Sequence, residues 1–139
     1  MPCNAVAVTT AKVAPEVTER VLGSSAALDS LVKLIVAKTG EPTTCIQNHF
    51  YRGHTERTAG FWIETSGYQV SLRGGHLQVQ AKRPRTLADA EALKAELTAY
   101  LPKLANRLLQ VQIQGVLSLK YRVTQSQYQG EALVLRLEV

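Results

Sequence analysis

The sequence contains few cysteines, few aromatic residues and no long apolar run. Only Cys3 and Cys45 occur among 139 residues, which excludes a disulfide-stapled scaffold and favours a reducing compartment. No stretch reaches the roughly 18 apolar residues that a membrane-spanning helix needs. The N-terminal segment also lacks the basic start and apolar run of a secretory signal. We therefore expect a cytoplasmic protein without a membrane span.

The low aromatic content, 6%, indicates a core built mostly of Leu, Val and Ala. Hydrophobic residues make up 45% and charged residues 19% of the chain, which is typical of a folded globular domain. At this length we expect a single domain spanning residues 1–139. Such a chain buries roughly two-thirds of its unfolded surface, so no metal or cofactor is expected to be needed for folding.

The net charge of +5 and the pI of about 9.4 allow an anionic partner without requiring one. Nucleic acid, an acidic protein and an anionic membrane surface all remain possible on charge alone.

The hydrophobic pattern changes period along the chain. Residues 4–13 are predicted to form a strand, and a helix is predicted from Pro15 onward, ending at Gly40. The Gly-Ser-Ser sequence at 23–25 either interrupts this helix, or Ser25 caps a second one that runs to about Lys38. Residues 41–83 then alternate with period two, and Gly74-Gly75 suits a tight hairpin turn.

A second long helix is predicted after Thr86, with Asp89 completing a capping box. Pro102 is expected to kink this helix or to divide it near Tyr100. Residues 115–139 are read as a closing hairpin. The predicted order is β-α-β-β-β-β-α-β-β, an α+β fold in which two amphipathic helices pack on one face of an antiparallel sheet.

The strongest constellation on the predicted open face is basic. The outward strand positions include Arg73, Lys82, Lys120, Arg122 and Arg136, and the flanking loops add Arg52, Arg57, Arg83 and Arg85. Trp62 also points outward, among the glutamines Gln69, Gln78 and Gln80. Such a face is compatible with single-stranded RNA or DNA, although one aromatic makes a poor stacking platform. A partner protein is the other use, with Trp62 and Tyr51 as natural anchors.

The segment 45–64 gathers Cys45, His49 and His54, which form the remaining site candidate. The C-x3-H-x4-H spacing is not a common zinc pattern. In a straight strand Cys45 and His49 share a face but lie about 13 Å apart. No Gly-rich elbow or helix N-terminus is predicted to activate the thiol. A small enzyme built on these three residues is therefore the third hypothesis, and no catalytic or metal residue is assigned.

The middle and end of the chain resemble a family of small uncharacterised proteins of cyanobacteria and plastids, known as a hypothetical chloroplast reading frame. Tyr51, Arg52, Gly53 and Thr55 match its "YRGQT"-like segment, and Gly67 and Tyr68 its next strand. The matches in its C-terminal hairpin are Val123, Gly130, Leu133 and Leu135. The long first helix and the "KRPR" segment depart from the family pattern. The resemblance implies no activity or cofactor, and it favours an accessory protein of an oxygenic phototroph.

From these observations we expect a non-enzymatic accessory or binding module. Its partner is expected to be a protein, met through the open sheet face or an edge strand. Binding of RNA or single-stranded DNA is the alternative.

Overall fold

The computed structural model describes residues 7–53 and 56–138, with the side chains of Arg52 and Arg57 outside the described part. Ten elements follow one another along these residues. They are β1 (Ala7–Lys12), α1 (Pro15–Leu22), α2 (Ser25–Thr39), β2 (Thr43–Arg52), β3 (Glu56–Thr65), β4 (Tyr68–Arg73), β5 (His76–Ala81), α3 (Leu87–Ser118), β6 (Arg122–Gln129) and β7 (Ala132–Glu138).

Five strands form one antiparallel sheet in the order β1-β5-β4-β3-β2. Strands β2 to β5 are a meander, and β1 pairs with β5 on the far side. The two edges are therefore β1 and β2, which the α1–α2 segment connects. The predicted α+β class with an antiparallel sheet is confirmed.

The core lies between one face of this sheet and the helices. Alternate side chains of β3 to β5, such as Ile63, Val70 and Val79, are almost fully buried. The period-two pattern places them together on one face of the pleat. They meet Leu31 and Ile35 of α2 and Leu97 and similar residues of α3, which recur at helical spacing. The opposite face of the sheet is left to the polar alternates.

The first helical region is interrupted, and a new helix begins at Ser25. The cap is Ser24, whose hydroxyl accepts a hydrogen bond from the Ala27 N–H at 3.3 Å. This helix ends at Gly40, which has a φ of 70°. Glycine adopts this left-handed conformation at little energetic cost, and the conformation ends the helix.

Helix α3 begins with the predicted capping box. The Thr86 hydroxyl accepts from the Asp89 N–H, and the Asp89 carboxylate accepts from the Thr86 N–H. The helix continues through Pro102, so of the two expected alternatives, a kink or a division, the division is wrong. Pro102 is exposed, and the carbonyl that its missing N–H leaves without a partner can be hydrated there.

Helix α3 also extends to Ser118, so the predicted closing hairpin is present but begins at Arg122 rather than at residue 115. The sequence Val-Gln-Ile-Gln at 111–114 alternates like a strand, but it lies at the end of a capped helix whose apolar spacing of three and four continues. Helix propagation adds one hydrogen bond per residue to an existing helix and outweighs the local alternation.

Strands β6 and β7 form a separate two-stranded sheet, whereas the sequence pattern predicted one sheet. The hairpin is held against α3 by polar contacts. The side-chain amides of Asn106 and Gln110 donate to the Glu131 carbonyl oxygen at 3.2 and 2.7 Å. The Arg107 guanidinium lies 5.1 Å from the Tyr128 ring centroid. We call α3 from residue 106 onward, together with this hairpin, the C-terminal arm.

Candidate interaction surfaces

The outward face of the five-stranded sheet is polar, as predicted. The register places Trp62 opposite Ser71 and Glu64 opposite Gln69, so these side chains share the face turned away from the core. Gln78 and Gln80 of β5 continue the row. The buried residues of all three helices belong to the cluster on the other face. We call the outward, polar face of the five-stranded sheet the open face.

An aromatic cluster lies at the β2 side of the open face. The rings of Phe50 and Trp62 meet edge to face with centroids 6.4 Å apart. The Arg73 guanidinium lies 4.9 Å from the Phe50 ring centroid, within the range of a cation–π contact. The cluster therefore joins strands β2, β3 and β4.

Gly60 makes this cluster possible. A Cβ at Gly60 would overlap the Phe50 ring and would lie 2.9 Å from the Leu72 carbonyl oxygen. An aromatic ring covering a glycine on the neighbouring strand is a known stabilising arrangement in sheets. Sequence reasoning found Trp62 and Arg73 but missed Phe50, because a register shift between β2 and β3 determines its side. The glycine beside two aromatics was the available signal.

Of the other predicted cations of this region, Lys82 and Arg85 contact acidic side chains of the chain. Lys82 lies 3.6 Å from the Glu64 carboxylate, which also accepts a hydrogen bond from the Gln69 amide. Arg83 is exposed. Because Glu64 offsets Lys82, the open face carries less positive charge than the count of basic residues indicates.

Arg85 forms an ion pair that fixes three loops. Its guanidinium donates to Glu41 Oε2 at 2.7 Å through Nη2 and at 3.3 Å through Nε. Glu41 Oε1 accepts from the Thr65 hydroxyl at 2.7 Å and from the Gly67 N–H at 2.8 Å. We call these four residues the Glu41 clamp. It connects the segment after α2, the β3–β4 turn and the segment before α3.

The clamp sets the protonation state of Glu41. Burial raises the pKa of this carboxyl, but the hydrogen bonds from Thr65, Arg85 and Gly67 outweigh it and leave a pKa of about 2, lowered from 4.5. A carboxylate that accepts several hydrogen bonds is stabilised in its charged form. The guanidinium of Arg85 is thus committed to a structural contact.

The basic surface predicted from the sequence does not form as one patch. Lys120 lies in the turn after α3, and Arg122 and Arg136 lie on the second sheet. Arg73 is on the five-stranded sheet. The expectation that these cations share one sheet face is wrong, because the closing hairpin does not join the main sheet. The side chains of Arg52 and Arg57 fall outside the described residues.

Cys45 and His49 do not share a face. Cys45 pairs with Glu64, on the open-face side, whereas His49 pairs with Ala59, on the side of the core residues. Between Gln47 and His49 the register shifts, because one residue of β2 faces two residues of β3, and this shift reverses the alternation. The shared face expected for a straight strand is therefore wrong. His54 lies outside the described residues, within which no His, Cys, Asp or Glu cluster could hold a metal.

The two edges of the sheet are built differently. Strand β1 has six residues and ends at Lys12. Lys94 of α3 reaches it, donating to the Thr9 hydroxyl at 2.7 Å and to the Thr10 carbonyl at 3.4 Å. Thr9 in turn donates to Glu91 at 2.7 Å, and Lys94 also lies 2.9 Å from the Glu91 carboxylate. The hydrogen bonds from Thr9 and Lys94 to Glu91 lower the pKa of Glu91.

Strand β2 has ten residues, and between Thr43 and Tyr51 none of them is charged. Its inner side pairs with β3, and no described strand pairs with its outer side. Ile46 is 49% exposed and Tyr51 56% exposed. This is the long, uncharged type of edge that natural sheets usually protect.

The C-terminal arm contains no buried residue among those described, residues 106–138. Several of its large apolar side chains are largely exposed, including Val111, Val116 and Leu119 at 61%, 62% and 89%. A two-stranded hairpin has little stability of its own in water. The arm therefore exposes apolar surface to solvent.

A pocket of about 140 Å³ lies between the α1–α2 turn and strands β2 and β3. Its lining residues include Leu22, Leu28, Asn48 and Phe61, and none of those described is a Cys, His, Asp, Glu or Lys. It has a mixed polar and apolar lining without these acid–base groups.

No described helix combines the length and the apolar character that crossing a membrane requires. Comparison of the chain with protein-family models finds no matching family. Comparison with curated proteins finds no match either.

Proposed function

We propose that this chain is a non-enzymatic binding module that engages a partner protein through the β2 edge and the adjoining aromatic cluster. The observation that carries the proposal is the outer side of β2, with which no described strand pairs. Its backbone N–H and C=O groups form a row to which an extended segment of another protein can add as a further strand. The absence of charge from Thr43 to Tyr51 leaves that row without electrostatic protection.

The contrast between the two edges supports β2 as the docking edge. Strand β1 is short, ends in a lysine and receives Lys94 at its backbone, and all three features discourage strand addition. Strand β2 has the length and the exposed Ile46 and Tyr51 that a partner strand needs for backbone pairing and side-chain contact.

The aromatic cluster supplies anchors beside that edge. Trp and Arg are the residue types that most often carry the binding energy of protein interfaces. Trp62 and Arg73 are held in place by Phe50, so little side-chain entropy is lost when a partner covers them. A strand added at β2 and a loop folded over the cluster would together form one continuous contact.

The geometry around Cys45 and His49 favours binding over catalysis. A nucleophile and its base must lie within hydrogen-bond reach, whereas these two side chains leave opposite faces of the sheet. We therefore propose no catalytic residue, metal or cofactor. The cytoplasmic location and the accessory role in an oxygenic phototroph, expected from composition and from the family resemblance, belong to the same proposal.

Quantitative co-purification from the native source tests the proposal. We expect tagged wild-type protein to recover a partner, and Ile46→Asp and Trp62→Ala to reduce its recovery about tenfold or more, the effect of losing roughly 1.4 kcal/mol. Val8→Asp is the matched control, because Val8 is 44% exposed on the opposite edge. Recovery of the bait alone, or an equal loss with Val8→Asp, would contradict the proposal.

Single-stranded nucleic acid is the second candidate ligand, favoured by the two rings of the aromatic cluster and the cation beside them. Bases stack on such rings while arginines contact phosphates. In a titration with an oligonucleotide, we expect affinity to fall steeply with added salt. Arg73→Ala should weaken binding, whereas Arg122→Ala, on the other sheet, should have a smaller effect. Salt-insensitive binding, no binding, or equal effects of the two substitutions would remove this candidate.

A further inference from the structure

We infer that the pocket beside β2 is a specificity pocket, which takes one phenylalanine-sized apolar side chain of the partner segment that adds to this edge. The inference rests on the proposed function, since it names what the partner presents at the same site. It starts from the position of the pocket. Asn48 of β2 and Phe61 of β3 line its sheet side, and the α1–α2 turn lines its helix side.

The pocket lies where the pairing of β2 with β3 is irregular. At this point Asn48 faces two residues of β3, Gly60 and Phe61, and all three line the pocket. An irregularity of this kind bends a strand and changes the direction of its side chains. Because β2 is an edge strand, a segment that adds along it passes directly beside the pocket.

Burial divides the lining into an apolar floor and a polar rim. Val21 and Phe61 are 2% and 3% exposed, and Leu28 packs partly against the same core. Ser25 and Asn48 are exposed. An apolar side chain on a peptide backbone has the same division, because its tip is apolar and its N–H and C=O groups are polar. The floor removes the tip from water, while the rim hydroxyl and amide offer hydrogen bonds to the backbone.

Volume and charge restrict which side chain fits. The pocket has a volume of about 140 Å³, close to that of an engineered apolar cavity of ~150 Å³ that holds one benzene molecule. A phenyl ring therefore fits, whereas an alanine side chain would leave most of the space empty. None of the described lining residues is charged, so nothing there would offset the cost of burying a charged side chain.

Ile46 extends the pattern expected of the partner. It pairs with the buried Ile63 and so lies on the helix side of the sheet, yet it is 49% exposed. Side chains on one face of a strand recur every second residue, about 7 Å apart, and Ile46 and Asn48 have this spacing along β2. In strand addition, such side-chain pockets provide the specificity and the backbone bonds provide the affinity. The partner segment should therefore carry a phenylalanine and, two residues away, an apolar residue that covers Ile46.

Titration with N-acetyl-phenylalanine N-methylamide, followed by NMR of the isotope-labelled protein, tests the pocket alone. We expect saturable shifts of the Ser25 and Asn48 amide signals and of the Leu28 methyl signals. N-acetyl-alanine N-methylamide should bind about tenfold more weakly or less, because its side chain leaves the floor uncovered. No binding of the phenylalanine probe, or equal binding of the two probes, would overturn the inference.

Two variants block the rim without altering the floor. Asn48→Trp and Ser25→Trp replace exposed side chains on opposite sides of the pocket, so the test does not depend on one substitution. Each should weaken binding of the phenylalanine probe about tenfold or more. Gln47→Trp is the matched control, because Gln47 pairs with Trp62 and lies on the open face. An equal loss with Gln47→Trp would overturn the inference.

Recovery of the native partner separates this inference from the proposed function. Asn48→Trp should reduce recovery about tenfold or more, as is expected for Ile46→Asp. If Ile46→Asp abolishes recovery and Asn48→Trp leaves it unchanged, the pocket inference is overturned and the proposed function stands. If the wild type recovers no partner and still binds the phenylalanine probe, the proposed function is contradicted and the preference of the pocket stands.

Discussion

Gly60 is the residue on which the aromatic cluster depends. We expect Gly60→Ala to lower the free energy of unfolding by about 1–3 kcal/mol, since the new methyl group would overlap the Phe50 ring and approach the Leu72 carbonyl. Chemical denaturation measures this loss.

A double-mutant cycle with Phe50→Ala separates the two clashes. The cost of Gly60→Ala should shrink when the ring is absent and should not vanish, because the carbonyl contact stays. An unchanged cost in the Phe50→Ala background would show that the ring does not cover Gly60.

Glu41 makes a pH-dependent contribution to the free energy of unfolding. Its folded pKa of about 2 lies below the ordinary 4.5, so its stabilisation is fully present above pH 4.5 and is lost as the pH falls toward 2. The contribution at neutral pH is about 3 kcal/mol. Glu41→Gln should therefore reduce stability at neutral pH, and the difference from wild type should narrow through this window.

Glu96→Gln is the matched control for Glu41. Glu96 forms an exposed pair with Lys38 at 3.5 Å, and such pairs contribute little. Urea unfolding of the three proteins at successive pH values makes the comparison. A difference between Glu41→Gln and wild type that stays constant down to pH 2 would show that the clamp does not hold the carboxylate.

Residue-level prediction from the sequence succeeded where local chemistry decides. The capping pair Thr86 and Asp89 is satisfied within four residues of chain, and that pattern is visible in the sequence. Phe50 and the opposite faces of Cys45 and His49 depend on a bulge that forms only when β2 pairs with β3. No local pattern specifies where such a bulge falls.

At the scale of elements, the two halves of α3 differ in how deeply their apolar side chains are buried. Leu101 is 1% exposed, and Leu101→Ala should cost about 2–5 kcal/mol of unfolding free energy. Val116 is largely exposed, and Val116→Ala should change stability by no more than about 0.5 kcal/mol in dilute protein. Thermal or urea unfolding gives both values. Similar losses at the two sites would mean that the arm has a core.

The hairpin strands β3 to β5 were predictable, because alternation and the Gly74-Gly75 turn agree there. Both glycines have positive φ, 59° and 75°, as the predicted tight turn requires. The end of α3 was not predictable from the local pattern, since Val111 to Gln114 fits both periods. The deciding factor was the uninterrupted hydrogen bonding of a long helix.

At the scale of the whole molecule, the net charge does not show where the charged residues lie. The sequence shows many cations, and the fold divides them among the Glu41 clamp, the Glu64 contact and the separate hairpin. Strand order and the detachment of β6 and β7 depend on long-range packing, which alternation does not encode. This is why the fold class was predictable and the single basic surface was wrong.

Hydrogen–deuterium exchange on the complex recovered with this protein tests the binding proposal most directly. Bound partner should slow exchange of the β2 amides between Thr43 and Tyr51, because strand addition gives their outward N–H groups new acceptors. The amides of β1 should exchange at the same rate in the free and bound protein. Protection confined to β1 or to the C-terminal arm, with β2 unchanged, would contradict the account.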